Sequence, residues 1–154
     1  MPTRILSRIT QDPLHEAELL RFVETPASGG VVLFSGVVRN LHEGRAVHSI
    51  DYSAAEELAS VKLAAICAEV LEAEDVHRVA AVHRLGLLQV GEPSILVAAS
   101  SAHRDTAFRA ARQLIDRVKE VLPVWKREHF DDGETKWSAG TRVPTSVRTG
   151  EASP

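Results

Sequence analysis

Alternating apolar and polar residues mark the first element of the chain. Residues 4–10 (RILSRIT) alternate loosely and predict a short strand. Residues 13–24 (PLHEAELLRFVE) predict the helix that follows. We expect Asp12 to cap this helix and Pro13 to take its first position, where proline has no hydrogen-bonded N–H to lose.

The next segments predict a hairpin. A β-branched, largely apolar run at residues 30–39 (GVVLFSGVVR) predicts a strand. A polar loop with a glycine follows at residues 40–46. The alternating run at residues 46–53 then predicts the strand that returns beside the first.

Two long helices and two further strands follow. The first helix spans residues 54–74, and the second spans roughly 103–122 and ends at Pro123. The expected buried face of the first helix comprises Leu58, Val61, Ala65, Cys67, Ala68 and Leu71. The second keeps closely to the 3.6-residue period with Phe108, Ala111, Leu114, Ile115, Val118 and Leu122. Strands are predicted at 76–86 and 94–101, separated by LLQVGEP.

The C-terminal region predicts a last hairpin and a tail. Segments 124–130 and 134–139 flank the turn residues DDG. The element order is α+β, and we expect a mostly antiparallel sheet with the helices packed on one side. Residues 1–140 are expected to form a single domain. The polar, Pro/Gly/Ser-rich residues 141–154 are expected to form a flexible tail.

Composition and charge narrow the classes of function. The 154-residue chain is 44% hydrophobic and 25% charged, which is ordinary for a globular protein. Its net charge of −3 disfavours a nucleic-acid-coating role. No apolar run approaches a membrane span, and the N-terminal residues lack a signal peptide's apolar core. A single cysteine allows no internal disulfide, so we expect a cytoplasmic protein without membrane contact.

The sequence gives little support for a catalytic cysteine, a metal site or a phosphate-binding loop. Cys67 lies mid-helix among apolar residues, with no neighbouring base in the sequence, and we interpret it as a core residue. The seven histidines form neither HxxxH nor HExxH, so we expect no metal. The usual Gly-rich phosphate loops and the GxSxG elbow are also missing from the sequence.

Basic residues instead collect at the ends of predicted elements. They are Arg39 at a strand end, His103 and Arg104 at a helix start, and Lys119, Lys126 and Arg127 around a helix end. Helix N-termini attract anions, so the His-Arg pair is well placed for a phosphate. Each residue alone has an ordinary explanation, as a solvated residue, a complement to a helix dipole, or protection of an edge strand. Only the whole set favours a function.

Lys119 has the most informative position in this set. It lies four residues after Ile115 and three before Leu122, on the border of the predicted apolar face. A lysine on that border is partly desolvated, and nearby cations lower its pKa further. Such a lysine is suited to proton transfer or to a nucleophilic role near neutral pH.

We expect the segment LPVWKREHF (residues 122–130) to place a second lysine, Lys126, near Lys119. Pro123 stops the helix and turns the chain. We expect Trp125 to pack against the core and to fix the direction of the segment. Lys126 would then lie opposite Lys119 across a small pocket.

Six segments carry a resemblance to a known family. They are FSGVVRN (34–40), EGR (43–45), VHRLGLLQVGE (82–92), SSAHRDTAF (100–108), IDRVKEVLPVWKRE (115–128) and DGETKW (132–137). With these segments in order over roughly residues 5–138, the chain resembles the large, catalytic subunit of molybdopterin synthase. It departs from the family at residues 52–55 (YSAA), where Tyr-Glu-Ala-Tyr is frequent.

This resemblance implies a fold, an activity and a set of partners. The fold is an α/β hammerhead with an added small antiparallel subdomain, which makes residues 1–140 a catalytic domain. The activity is a sulfurtransferase that converts cyclic pyranopterin monophosphate into molybdopterin, in molybdenum cofactor biosynthesis, without a resident cofactor. Sulfur arrives on a small ubiquitin-like subunit with a C-terminal Gly-Gly thiocarboxylate. The assembly is a homodimer of large subunits within a heterotetramer.

The resemblance also implies the site residues. The substrate pocket is expected to contain Phe34, Val37, Val38, Arg39, His103, Arg104, Lys119, Lys126, Arg127 and Glu128. Lys119 and Lys126 are the main catalytic candidates. Our hypothesis makes Lys119 the acid/base or transient covalent residue, while Lys126 orients the thiocarboxylate or stabilises developing negative charge.

Helix geometry adds an expectation about the dimer. Arg104 and Lys119 lie fifteen residues apart on one predicted helix, which places their Cα atoms about 22 Å apart at 1.5 Å per residue. A pterin monophosphate does not comfortably bridge that distance. We therefore expect His103 and Arg104 of one subunit to complete the pocket that holds Lys119 and Lys126 of the other.

Two other classes of function remain open at this point. One is a non-catalytic α+β module that docks a protein tail or a phosphorylated ligand, and it would tolerate Lys119→Ala. The other is a small RNA-binding domain that uses the basic cluster. An aromatic content of 5% and the negative net charge both disfavour RNA binding.

Overall fold

The computed structural model describes residues 3–139, which form two β-sheets and three helices. The strands are β1 (Ile5–Thr10), β2 (Gly30–Val37), β3 (Leu41–His42), β4 (Arg45–Ala54), β5 (Arg78–Arg84), β6 (Gly86–Gln89), β7 (Pro93–Ser101), β8 (Val124–Phe130) and β9 (Thr135–Ala139). The helices are α1 (Glu16–Val23), α2 (Glu56–Ala73) and α3 (Arg104–Val121). None of the helices in this described part is long and apolar enough to cross a membrane. The predicted tail, residues 141–154, lies outside the described residues, so the domain boundary at residue 140 stays a prediction.

The first sheet forms the centre of the molecule and has the strand order β1-β5-β7-β2. Strand β1 runs parallel to β5, while β5, β7 and β2 are antiparallel neighbours. The second sheet is antiparallel, with the order β3-β4-β8-β9 and with β6 also paired to β4. The α+β class with mostly antiparallel pairing and a smaller antiparallel subdomain is therefore confirmed.

Helices cover both faces of the first sheet, so the expectation of helices on one side is wrong. Alternate residues of a strand point to opposite faces, and β7 is buried on both. Its Ile95 and Val97 belong to the core beneath α2 and α3. Its Leu96 and Ala98 belong to a second core that includes Leu19 of α1. A strand with two buried faces has a continuous apolar sequence, and that sequence alone does not indicate that helices cover both faces of the sheet.

The predicted hairpin between residues 30–39 and 46–53 does not form. Strand β2 pairs with β7, and β4 pairs with β8 in the other sheet. The chain instead reverses at Glu43 and Gly44, which both have positive φ (50° and 79°) and join β3 to β4. A two-residue turn with positive φ at both positions is typical of tight hairpins. This turn pairs β4 with β3 and directs β4 away from β2.

Helix α1 begins later than predicted. Its N-cap is His15, rather than Asp12 with Pro13 at the first position. Leu14 is buried in the core on the α1 side of the sheet, so the residues before the helix are used to insert that side chain. The predicted helix end at residue 24 agrees closely with Val23.

The two long helices differ in how well periodicity predicts their buried faces. Helix α2 buries Ala59, Leu63, Ile66, Cys67 and Val70. Of the predicted face only Cys67 is buried, while Leu58, Val61, Ala65 and Ala68 are exposed. Apolar residues of α2 lie on more than one side of the helix, so their spacing alone does not indicate which face is buried. Helix α3 buries the predicted Ala111, Leu114, Ile115 and Val118, but Phe108 is 61% exposed.

Candidate functional site

A cavity of about 210 Å³ lies beside the end of α3, where the second sheet approaches the first. Side chains from β2, β3, β4, β7, α3 and β8 contribute to its wall. The lining residues are Gly36, Val37, Val38, Arg39, Leu41, His42, Val47, Ile50, Tyr52, Ser94, Lys119, Lys126 and Glu128. Six of the ten predicted site residues therefore meet here: Val37, Val38, Arg39, Lys119, Lys126 and Glu128.

The turn after α3 places the second lysine. Leu122 closes the helix by donating its N–H to the Val118 carbonyl at 3.1 Å. Pro123 cannot continue the helix, and the chain enters β8, which pairs with β4. Lys126 lies opposite Tyr52 and Glu128 opposite Ile50. Because residues two apart on a strand share a face, Lys126 and Glu128 both line the cavity.

The residues between these positions face away from the cavity. Arg127 lies over the ring of Trp137, with 5.7 Å from its Cζ to the ring centroid, and donates to Thr135 Oγ1 at 3.3 Å. Trp125 is 36% exposed, so the expectation that it packs in the core is wrong. The inward positions of β8 are instead Val124, Lys126 and Glu128, as strand alternation requires.

Lys119 lies at the cavity wall beside the positive charge of Lys126, with part of its side chain exposed to solvent. Burial is the larger cause that lowers the pKa of Lys119, because it disfavours the charged ammonium. The charge of Lys126 lowers the pKa of Lys119 further. The expected direction of the shift is confirmed, with Lys126 as the neighbouring cation.

Glu128 brings negative charge to the same wall. Its side chain is only 2% exposed, and its Oε1 lies 3.9 Å from Nε2 of His42 on β3. A buried carboxylate is costly unless positive or hydrogen-bonding groups surround it. The cavity thus combines four basic residues, Arg39, His42, Lys119 and Lys126, with one carboxylate, which suits an anionic ligand that exchanges protons.

Two further polar residues adjoin Lys119, and the sequence reasoning did not select them. Tyr52 and His83 meet edge to face, with ring centroids 5.5 Å apart. Burial raises the pKa of Tyr52, and the neighbouring Ser94 side chain partly opposes this. Both rings line a second, small cavity of about 30 Å³ together with Lys119 and Lys126. His83 lies within the VHRLG segment, whose alternation predicts only a strand.

Three predicted residues lie elsewhere in this chain. His103 and Arg104 start α3, at the opposite end of that helix from Lys119. Phe34 borders a shallow apolar groove between β2 and α3, which it shares with Phe108. A Cβ atom on Gly30 would lie 2.9 Å from the Arg104 Cα, so the glycine allows β2 to approach the start of α3. The assignment of these three residues to a substrate site stays a prediction.

The fold and the cavity define a class of α+β protein whose basic pocket suits an anionic ligand beside a lysine of lowered pKa, an arrangement typical of acid/base enzymes. Comparison with known families makes the assignment specific. The family model described as "MoaE protein" matches residues 9–121. The chain therefore belongs to the MoaE protein family.

Individual relatives agree with this assignment. A protein of Nostoc sp. named "Molybdopterin synthase catalytic subunit" is 42% identical over 130 residues, covering 84% of this chain and 79% of that protein. A protein of Thermoplasma volcanium with the same name is 36% identical over 129 residues, covering 84% and 94%. The crystal structure of molybdopterin synthase from Staphylococcus aureus superposes with a TM-score of 0.80 at 35% identity, covering 85% of this chain and 95% of that one.

Proposed function

We propose that this chain is the catalytic subunit of a molybdopterin synthase. It transfers sulfur from a thiocarboxylated, ubiquitin-like carrier to cyclic pyranopterin monophosphate and so builds the dithiolene of molybdopterin. One observation carries the proposal: Lys119 and Lys126 line one cavity with Arg39 and Glu128, in a chain of the MoaE family. The name shared by the curated relatives supports the same activity.

The charges of the cavity fit both reactants. A cyclic phosphate and a thiocarboxylate are anions, and Arg39, Lys119 and Lys126 supply three cations. Arg39 is the residue best suited to grip a phosphate, because its guanidinium donates in a fixed fork. In our proposal Lys126 orients the thiocarboxylate and stabilises negative charge that develops during transfer.

Lys119 is the proposed acid/base residue. Opening a cyclic phosphate, adding sulfur and eliminating water each require a proton transfer. A general acid or base works best when its pKa lies near the working pH, and burial beside Lys126 moves the pKa of Lys119 in that direction. The same desolvation favours a neutral amine that could form a transient covalent bond with the substrate.

The chain's own cysteine is unsuited to carry the sulfur. Cys67 is fully buried in the core between α2 and the first sheet. Burial raises the pKa of its thiol to about 12, so the reactive thiolate is scarce near neutral pH. A reaction in which the sulfur arrives on another protein does not require a reactive thiol in this chain.

We also propose that two copies of the chain share each site. His103 and Arg104 begin α3, and Lys119 lies in its last turn, a separation of about 22 Å along the helix axis. A second copy in a homodimer would bring the His-Arg pair of one chain to the lysines of the other. The carrier subunit at each end would complete a heterotetramer. The cytoplasmic location stays a prediction.

Single-turnover conversion of cyclic pyranopterin monophosphate tests the proposed function. The purified chain is mixed with a thiocarboxylated carrier, and dithiolene product is measured for the wild type, Lys119→Ala and Lys62→Ala. Lys62 is an exposed lysine of α2 and serves as the matched control. We expect product from the wild type and from the control, and a loss of at least about a hundredfold in rate for Lys119→Ala. A folded wild type that binds the carrier but forms no product would instead indicate a docking module.

A further inference from the structure

His83 is a buried histidine for which the proposed reaction has so far given no role. It lies near the end of β5 with 6% of its surface exposed. Its ring packs edge to face against Tyr52, a residue of the main cavity wall. After burial, which is the largest cause, the charge of Lys119 also contributes to lowering the pKa of His83.

The hydrogen bonds of the His83 ring fix its tautomer. Nδ1 lies 2.9 Å from the carbonyl oxygen of Arg84. A carbonyl oxygen only accepts hydrogen bonds, so Nδ1 carries the hydrogen. Burial, as the largest cause, lowers the pKa of His83 to about 4, and the ring is neutral near neutral pH. Nε2 is then an acceptor, because a neutral imidazole has one donor and one acceptor nitrogen.

The small cavity offers this acceptor a cationic partner. The polar residues that line it are Tyr52, His83, Lys119 and Lys126, and its volume of about 30 Å³ is enough for one water. Tyr52 and both lysines also line the main cavity. Lys119 thus stands between the two spaces, with the neutral histidine on one side and the proposed substrate on the other.

We infer that His83 is a positioning residue for Lys119: its Nε2 accepts a hydrogen bond from one water in the small cavity, and this water in turn accepts a hydrogen bond from the lysine amine. The inference rests on the proposed role of Lys119. A lysine has four rotatable side-chain bonds, and a fixed hydrogen bond reduces the freedom of its amine to leave the reactive geometry. The other charged or titratable groups around Lys119 are Arg39 after β2, His42 on β3, Tyr52 on β4, and Lys126 and Glu128 on β8.

Two substitutions of His83 distinguish the role of Nδ1 from the role of Nε2. In His83→Asn the side-chain amide can donate to the Arg84 carbonyl, as Nδ1 does, but no acceptor remains at the position of Nε2. In His83→Gln the longer side chain places an acceptor oxygen near the position of Nε2 and loses the Nδ1 bond. Single-turnover rate at saturating substrate and the pKa of the Lys119 amine, followed by NMR of labelled lysine in the free protein, are measured for both.

We expect His83→Asn to lower the rate about tenfold or more with unchanged substrate affinity, and His83→Gln to stay within about threefold of the wild type. The pKa of Lys119 should fall in His83→Asn, because the ammonium loses an acceptor, and stay in place in His83→Gln. The inference is overturned if Asn behaves as the wild type while Gln does not, since only the bond to Arg84 would then matter. Two variants that both match the wild type, or both lose rate without a change in the Lys119 titration, also overturn it.

A measurement on the ring itself needs no change at position 83. Nitrogen NMR of labelled histidine reports the tautomer of His83 and the hydrogen bonding of Nε2. We expect hydrogen on Nδ1, and an Nε2 signal that shifts when Lys119→Met removes the amine that donates to the water in the small cavity. Hydrogen on Nε2, or an Nε2 signal indifferent to Lys119→Met, would contradict the inference. Both NMR experiments use the free protein, so they decide the role of His83 even if the wild type forms no dithiolene.

Discussion

Mixed dimers offer a quantitative test of the shared site. The two perturbations are Lys119→Ala, at the end of α3, and Arg104→Ala, at its start. Neither change is at a residue of the protein core. If each site takes its lysine from one chain and its arginine from the other, then a mixed dimer has one site with both defects and one intact site.

The expected activity follows from counting sites. Random pairing of equal amounts of the two variants makes about half of the dimers mixed, and about half of the sites in these are intact. The mixture should therefore recover about one quarter of the wild-type single-turnover activity, although each variant alone has little. The subunits are co-expressed or refolded together so that they exchange.

A double variant provides the matched control for this count. A chain with both Lys119→Ala and Arg104→Ala is mixed with an equal amount of wild type. Shared sites leave only the pure wild-type dimers active, about one quarter of the maximum, whereas independent sites leave about one half. A mixture of single variants no more active than either alone, together with one half in the control, would refute the shared site.

The remaining predictions concern the cavity charge and the packing of α3. Lys126→Met removes a cation that lowers the pKa of Lys119, so the pKa of Lys119 rises. The limb of the pH–rate profile that reports the titration of Lys119 should therefore move to higher pH. An unmoved limb would count against coupling of the two lysines. Gly30→Ala places a Cβ 2.9 Å from the Arg104 backbone and should lower the free energy of unfolding in urea by about 1–3 kcal/mol. The exposed neighbour Ala27→Ser should stay within about 0.5 kcal/mol of the wild type, and equal stability of all three proteins would show that the contact relaxes freely.

Elements with strong local signals were predictable from the sequence. Helix α3 follows the 3.6-residue period, and Pro123 marks its end. The hairpin of β8 and β9 follows from the turn residues DDG, whose Gly133 has a φ of 89°. Because both elements depend on neighbours in the sequence, they also predicted that Lys119 and Lys126 meet at one cavity.

Long-range pairing and buried polar residues were not predictable in the same way. The partner of β2 is β7, some sixty residues later in the chain, and no local pattern specifies such a pairing. Helix α2 has apolar residues on its exposed side as well, such as Leu58 and Val61, so its buried face depends on the sheet beneath it. Tyr52 and His83 occupy ordinary strand positions in the sequence, and they meet beside Lys119 only because their two sheets approach each other at this point.

The fate of the carrier's sulfur tests the central claim most directly. Thiocarboxylated carrier, cyclic pyranopterin monophosphate and wild-type chain are mixed for one turnover, and the carrier mass and the dithiolene product are followed together. We predict that two carriers change from thiocarboxylate to carboxylate for each dithiolene formed, and that Lys119→Ala stops both the loss of carrier sulfur and the formation of dithiolene. A carrier that keeps its sulfur with the folded wild type, or loses it equally fast with Lys119→Ala, would contradict sulfur transfer at this cavity.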